Sequence, residues 1–175
     1  AALALLLGCA SAGRMPLGAT DAAVKARLGS PTSRTTVPEG ERWLYSQLPS
    51  GSEAHALSFD VAGRLVRIEQ VLTAAAFEAL LPGQLTEAQA LDQFGPPLRV
   101  ERVARFDGDV WTYRFKVVND LRLAHLHFDR QRVLRQILYT DEKLTAIIAG
   151  TLIDGQTMKN YSAERLQKLT AISFS

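Results

Sequence analysis

Apolar and polar positions along this chain run with two periods that alternate in blocks. Between Thr86 and Gly95 the apolar positions Ala90, Leu91 and Phe94 return at helical spacing. Thr86 stands three residues before Gln89, the spacing at which a hydroxyl and an amide close the free amides of a helix start. Gly95, followed by Pro96 and Pro97, ends that helix. Thr20, Val24, Leu28 and Gly29 follow the same plan. Behind each helix the period drops to two: Trp43 with Tyr45, Leu57 with Phe59, Leu65 with Arg67 opposite Val66 with Ile68. Then come Trp111, Tyr113 and Phe115, Leu126 and Phe128, and Val133 with its neighbours. Such alternation predicts half-buried antiparallel strands with the aromatics as core anchors on the inner face. The stretches "AGR" at Ala62 and "DGD" at Asp107 are turn signals between them. The pattern as a whole predicts an α+β fold in which a helix or helix pair covers a three- to four-stranded antiparallel sheet.

The blocks occur twice. "LGATDAAVKARLGSP" from Leu17 is matched by "PGQLTEAQALDQFGPP" from Pro82, "RWLYS" by "VWTYRF", and "ALSFDVAGRLVRIE" by "LHFDRQRVLRQI". The offset grows slowly, from 65 between Gly18 and Gly83 to 68 between Trp43 and Trp111 and 69 between Phe59 and Phe128. Small loop insertions account for that drift, so the pattern reads as a tandem repeat. A third fragment follows: "LTAIIAGTLIDGQ" from Leu144 aligns without a gap on "LTAAAFEALLPGQ" from Leu72. The expected organisation is residues 17–71 as the first unit, 72–143 as the second, and 144–175 as a partial third unit or helical cap. In that cap Leu152, Ile153, Leu166 and Leu169 supply an apolar stripe.

Ahead of the repeat, residues 1–8 are all Ala, Leu or Gly. Eight apolar residues are too few to span a bilayer, which needs about 20, and they read as the tail of a secretory signal. Leu6, Leu7, Gly8 and Cys9 resemble the lipobox of bacterial lipoproteins. The resemblance implies that Cys9 carries a thioether-linked diacylglycerol and becomes an acylated amino terminus, with residues 9–16 as a lipidated linker. Ala10 and Ser11 behind it imply the outer membrane. Cys9 is the single cysteine of the sequence, so no disulfide forms within it.

The repeated residues are similar to the SmpA/OmlA (BamE-like) outer-membrane lipoproteins and to the module of the β-lactamase inhibitory protein. The first unit carries the motif residues Gly18, Thr20, Asp21, Leu28, Gly29, Pro31, Trp43, Tyr45, Phe59, Asp60 and Gly63. The second carries Gly83, Thr86, Glu87, Phe94, Gly95, Pro97, Trp111, Tyr113, Phe128 and Asp129. Gln131 stands against Gly63, so the second hairpin turn is expected to differ. The resemblance implies a lipoprotein on the periplasmic face of the outer membrane that binds protein partners as a scaffold in envelope assembly. The alternative it implies is a periplasmic inhibitor or binder of an enzyme.

Composition narrows the classes further. Twenty basic and eighteen acidic residues leave a formal charge of +2, and the fifteen arginines are interspersed with acids, so no field favours nucleic acid. His125 and His127 share one strand face, but a third metal ligand cannot be named, and His55 aligns with neither. Asp107, Asp109 and Asp120 suit turns better than acid–base chemistry. No Gly-x-Ser-x-Gly elbow and no phosphate-cradling glycine loop occurs. The sequence therefore leads to the expectation of a protein that is not an enzyme, with no cofactor, no metal and no small-molecule substrate.

Overall fold

The structure, a computed structural model, describes residues 11–142. Cys9 and the expected cap at 144–175 lie outside them. A single 3-10 turn, Ala12–Arg14, precedes α1 (Asp21–Leu28) and four strands, β1 (Ser33–Val37), β2 (Gly40–Ser46), β3 (Ala54–Asp60) and β4 (Leu65–Gln70). Then come α2 (Ala74–Glu78), α3 (Glu87–Phe94) and four more strands, β5 (Arg99–Glu101), β6 (Gly108–Val117), β7 (Asp120–Asp129) and β8 (Leu134–Asp141). Each set of four makes one antiparallel sheet with its strands in sequence order. The fold is α+β, with two four-stranded sheets and few helices.

Both eight-residue helices are too short to persist alone and depend on caps and packing. The Thr20 hydroxyl accepts from the Ala23 amide. Thr86 and Gln89 form the expected reciprocal box, at 3.3 and 2.8 Å. Helix α3 buries Ala90 and Phe94, but Leu91, expected on the same face, points outward and is 44% exposed.

The apolar side chains gather in two clusters. In the smaller, Val24 of α1 and Met15 cover Trp43, Leu57, Phe59 and Leu65 on one face of the first sheet, with the Trp43 and Phe59 rings 4.6 Å apart. In the larger, Phe77 of α2 and Phe94 of α3 stack at 4.8 Å and meet Tyr113, Phe115, Leu126 and Phe128 of the second sheet. Leu44, Ala54 and Ala56 belong to this larger cluster too, and they sit on the opposite face of the first sheet from Trp43. The first sheet is thus buried on both faces and not half-buried as its alternation suggested. Adjacent residues Trp43 and Leu44 are 2% and 1% exposed. The end of α3 comes close to this face at Gly95, where a Cβ would lie 2.7 Å from Leu44 Cδ2.

Three local expectations need correction. Phe59 pairs with Leu65 while Ser58 pairs with Arg67, so Val66 is an extra residue in β4 and is 53% exposed. That bulge shifts the phase of the strand, placing Leu65 and Ile68 in the same cluster and not on opposite faces. The second hairpin turn does not differ from the first. Arg132, at φ +60°, occupies the place of Gly63 at φ +71°, so the correct partner of Gly63 is Arg132 and not Gln131. The Asp60 carboxylate accepts from the Ala62 and Arg64 amides, and the Asp129 carboxylate from the Gln131 and Val133 amides. This side-chain scaffold holds the left-handed residue without needing glycine. Finally, Trp111 is only half-buried, at the rim of the larger cluster against Phe128 at 5.2 Å.

The two tryptophans should therefore separate in a thermal or urea melt. Trp43→Ala is expected to cost about 3–5 kcal/mol, the range for truncating a large buried aromatic, and Trp111→Ala clearly less. Equal losses would contradict the burial difference.

Candidate functional site

The motif residues converge on a construction that each half contains. Gly18 and Gly83, at φ +83° and +85°, turn the chain so that it docks on the start of the last strand of its sheet. The Gly18 amide donates to Leu65 O and the Gly83 amide to Leu134 O, both at 2.7 Å. The Leu65 amide answers to Ala19 O and the Leu134 amide to Leu85 O. From there each helix runs to a glycine cap, Gly29 or Gly95, both at φ +80°. A strand tyrosine holds that cap: the Tyr45 hydroxyl donates to Gly29 O at 3.1 Å, the Tyr113 hydroxyl to Gly95 O at 2.9 Å. Phe59 and Phe128 are buried beneath, in the smaller and larger clusters. Sequence spacing named all these residues but not their bonds. The signal was the similar separation of tyrosine from capping glycine, 16 and 18 residues.

The latches differ in setting. Tyr113 is fully buried and ringed by Phe77 and Phe94, and burial pushes its hydroxyl far above the ordinary tyrosine value. Tyr45 is half-buried, raised by burial and pulled back by Arg34. Other polar contacts join residues of the two halves. Arg42 Nη1 donates to Asp92 O at 2.7 Å and Nη2 to Gln93 O at 3.2 Å, a cation on the carbonyl end of α3. The Thr35 hydroxyl donates to the Asp92 carboxylate. Arg114 Nη1 donates to Pro49 O and Gly51 O, at 2.7 and 3.3 Å, in the loop between β2 and β3. An open cleft beside α3 is lined by Arg42, Leu85, Ala88, Gln89 and Asp92.

The face of the second sheet turned away from Tyr113 carries the histidines. Thr112 Oγ1 and His125 Nδ1 are 3.0 Å apart across the strand pair, and Phe106 meets His127 edge-on at 4.9 Å. His127 is 7% exposed and its Nδ1 is buried without a hydrogen-bond partner. The aspartates expected to serve turns do not converge: Asp107 pairs with Arg130 at 2.7 Å and Asp109 with Arg102 at 3.0 Å. Asp120 opens β7. Among the described residues no three His, Cys, Asp or Glu side chains are grouped to hold a metal ion. Among them, too, no helix is long and apolar enough to cross a membrane.

With known proteins the chain has limited likeness. No family model matches it. It is 33% identical over 87 residues to the probable thiol:disulfide interchange protein DsbC of Bordetella pertussis, half of this chain and 29% of that protein. The same figures hold for the protein of that name in Bordetella parapertussis. The chain thus matches under a third of the length of these relatives. A crystal structure of a DUF4309 family protein, YjgB of Bacillus subtilis, overlays with a TM-score of 0.31 at 20% identity, covering 70% of this chain and 78% of that one.

Two outcomes follow from this geometry. Tyr113→Phe should cost about 1–2 kcal/mol, since it leaves the Gly95 carbonyl buried without its donor, and Tyr45→Phe about 0.5–1 kcal/mol. Urea midpoints at unchanged m-value check the order. For pH, burial lowers the pKa of His55, His125 and His127, with Arg99 and His127 adding to the lowering at His125. Folded-state values below the unfolded value, about 6.5, mean that the unfolded chain binds more protons in acid. Stability from these groups is therefore full above that value and is lost as pH falls below it. Glu87, raised by burial, acts in the opposite sense over the acid part of this range. Melting temperature should drop between pH 7.5 and 5, and drop less in the His125→Gln/His127→Gln double variant.

Proposed function

We propose that this chain is a tandem form of the SmpA/OmlA (BamE-like) lipoproteins, anchored through Cys9 to the periplasmic face of the outer membrane. Its work there is binding, as a scaffold for protein partners in envelope assembly, and not catalysis. The reading treats the two halves as copies of one module. What supports it most is a single observation: the same ordered set of strand-start glycine, threonine cap, glycine stop, tyrosine latch and aspartate turn stands twice behind "LLGC". Dithiol exchange, the activity named for the Bordetella proteins, proceeds through thiolate attack on a disulfide and a resolving thiol. Cys9 is the only thiol in these 175 residues, so the likeness is read here as one of scaffold.

In a bacterial host, the parent protein is expected to incorporate labelled palmitate and to sediment with the outer membrane. Cys9→Ala should lose the label and appear in the periplasmic fraction. A variant that still sediments, or a parent that never takes label, would refute the anchor. Crosslinking in intact cells tests the partner class: subunits of the outer-membrane assembly machinery support the scaffold. A single soluble periplasmic enzyme would replace that reading with the inhibitor.

A further inference from the structure

The second half lacks the polar cover that the first gives its tryptophan. Arg34 pairs with Trp43 across β1 and β2, and its guanidinium lies 4.2 Å from the centre of the Trp43 ring. Val100 holds the matching place in the second sheet, paired with Trp111 across β5 and β6. On the helices, the offset of 66 that relates Asp21 to Glu87 and Gly29 to Gly95 sets Lys25 against Leu91. Two cations of the first half are thus replaced by a valine and a leucine, 52% and 44% exposed.

The replacements meet on one surface. Paired residues of neighbouring strands point to the same face, so Val100 lies beside the half-buried Trp111. Helix α3 runs along β6 over that face. Glu87 at its start, raised first by burial, is raised further by Asp109, and the Gly95 carbonyl at its end receives the Tyr113 hydroxyl. Leu91 stands one turn after Glu87 on the same side of the helix, as Trp111 stands midway from Asp109 to Tyr113. Leu91, Trp111 and Val100 therefore form an exposed apolar patch whose outer border is β5.

Strand β5 is the edge of its sheet, and its three residues are all exposed. Among the described residues no strand adds to its outer side. Arg99, Val100 and Glu101 are complementary to themselves when run antiparallel about Val100, because each arginine then faces a glutamate. Strand β1 offers no such match: about its centre, Arg34 faces Thr36. We propose that two copies of this chain associate through β5 in that register, joining their second sheets into one. Val100 of each copy closes on that of the other, and a row of Trp111 and Val100 from both crosses the seam on the face that α3 covers. On the opposite face the exposed Arg99–Glu101 pair, 2.7 Å within one chain, is exchanged for two pairs between chains. Such an interface is isologous and closes at two copies. It involves neither Cys9 nor a membrane, so its fate is separate from that of the anchor.

The full chain, with Cys9 kept reduced so that no disulfide links copies, is tested by sedimentation velocity over a range of concentrations. The parent should pass from the 19.2 kDa monomer to twice that mass as concentration rises. Val100→Lys should stay monomeric throughout. Arg99→Glu and Glu101→Arg each set like charges opposite one another twice, and each should raise the dissociation constant about tenfold. Mixed in equal amounts, these two variants should form a heterodimer as readily as the parent pairs with itself. Every glutamate then faces an arginine again, while the pair within each chain stays broken, and the rescue shows that both variants are folded. A parent that remains monomeric, a Val100→Lys variant that still dimerises, or a mixture that associates no better than its components would overturn the proposal.

Discussion

The contact between Gly95 and Leu44 is the constraint on which the rest of the described structure depends. It brings the end of α3 against the first sheet at a distance that excludes any side chain, and it does so from the face opposite the one α1 covers. Leu44, Ala54 and Ala56 enter the larger core through that approach. Arg42 then reaches the carbonyls at the end of α3. Gly29, the corresponding cap in the first half, has the same φ and nothing within 4 Å of its would-be Cβ. One glycine serves the backbone alone; the other serves the backbone and the packing between halves.

Around that contact, each half closes itself with few but strong local devices. The helix is capped at its start by a threonine, stopped by a glycine and held by a tyrosine hydroxyl. The hairpin between the last two strands is wound around an aspartate carboxylate. Because the aspartate supplies the order, the left-handed residue of that turn is glycine in one half and arginine in the other. The carboxylate of Asp129 is lowered first by its bond from the Val133 amide and further by Arg135, so the charged form that organises the turn is the form the fold favours.

Local features were legible in the sequence because they are written in adjacent residues. Caps at Thr20 and Thr86, stops at Gly29 and Gly95, and the strand aromatics Trp43, Phe59, Tyr113 and Phe128 stood where the pattern placed them. What stayed hidden depends on distant residues or on a slip of one position. Burial of both faces of the first sheet follows from α3, some fifty residues after β2, and no alternation within β2 announces it. The extra residue Val66 inverts the expected facing of Leu65 and Ile68. Trp111 and Trp43 look equivalent in sequence, yet the first lies at the edge of its cluster and the second at the centre. The candidate site was legible as a set of residues, with tyrosine and capping glycine each named; that they bond to one another needed three dimensions. The β6–β7 turn was missed although Asn119 and Asp120 mark it, because Val117 and Val118 extend the apolar run of β6 into it.

Burial of the first sheet on both sides also bears on how the protein comes into being. A chain delivered from its N-terminus can complete β1 to β4 and cover Trp43 and Phe59 with α1. Leu44, Ala54 and Ala56 then face water until α3 follows. The intervening 24 residues, from Gln70 to Phe94, must be delivered before that face is covered. In that interval the half-made protein presents an apolar plate to its surroundings. The second half is thus the internal chaperone of the first, and a message cut short within it would release a sticky product in place of a smaller stable one.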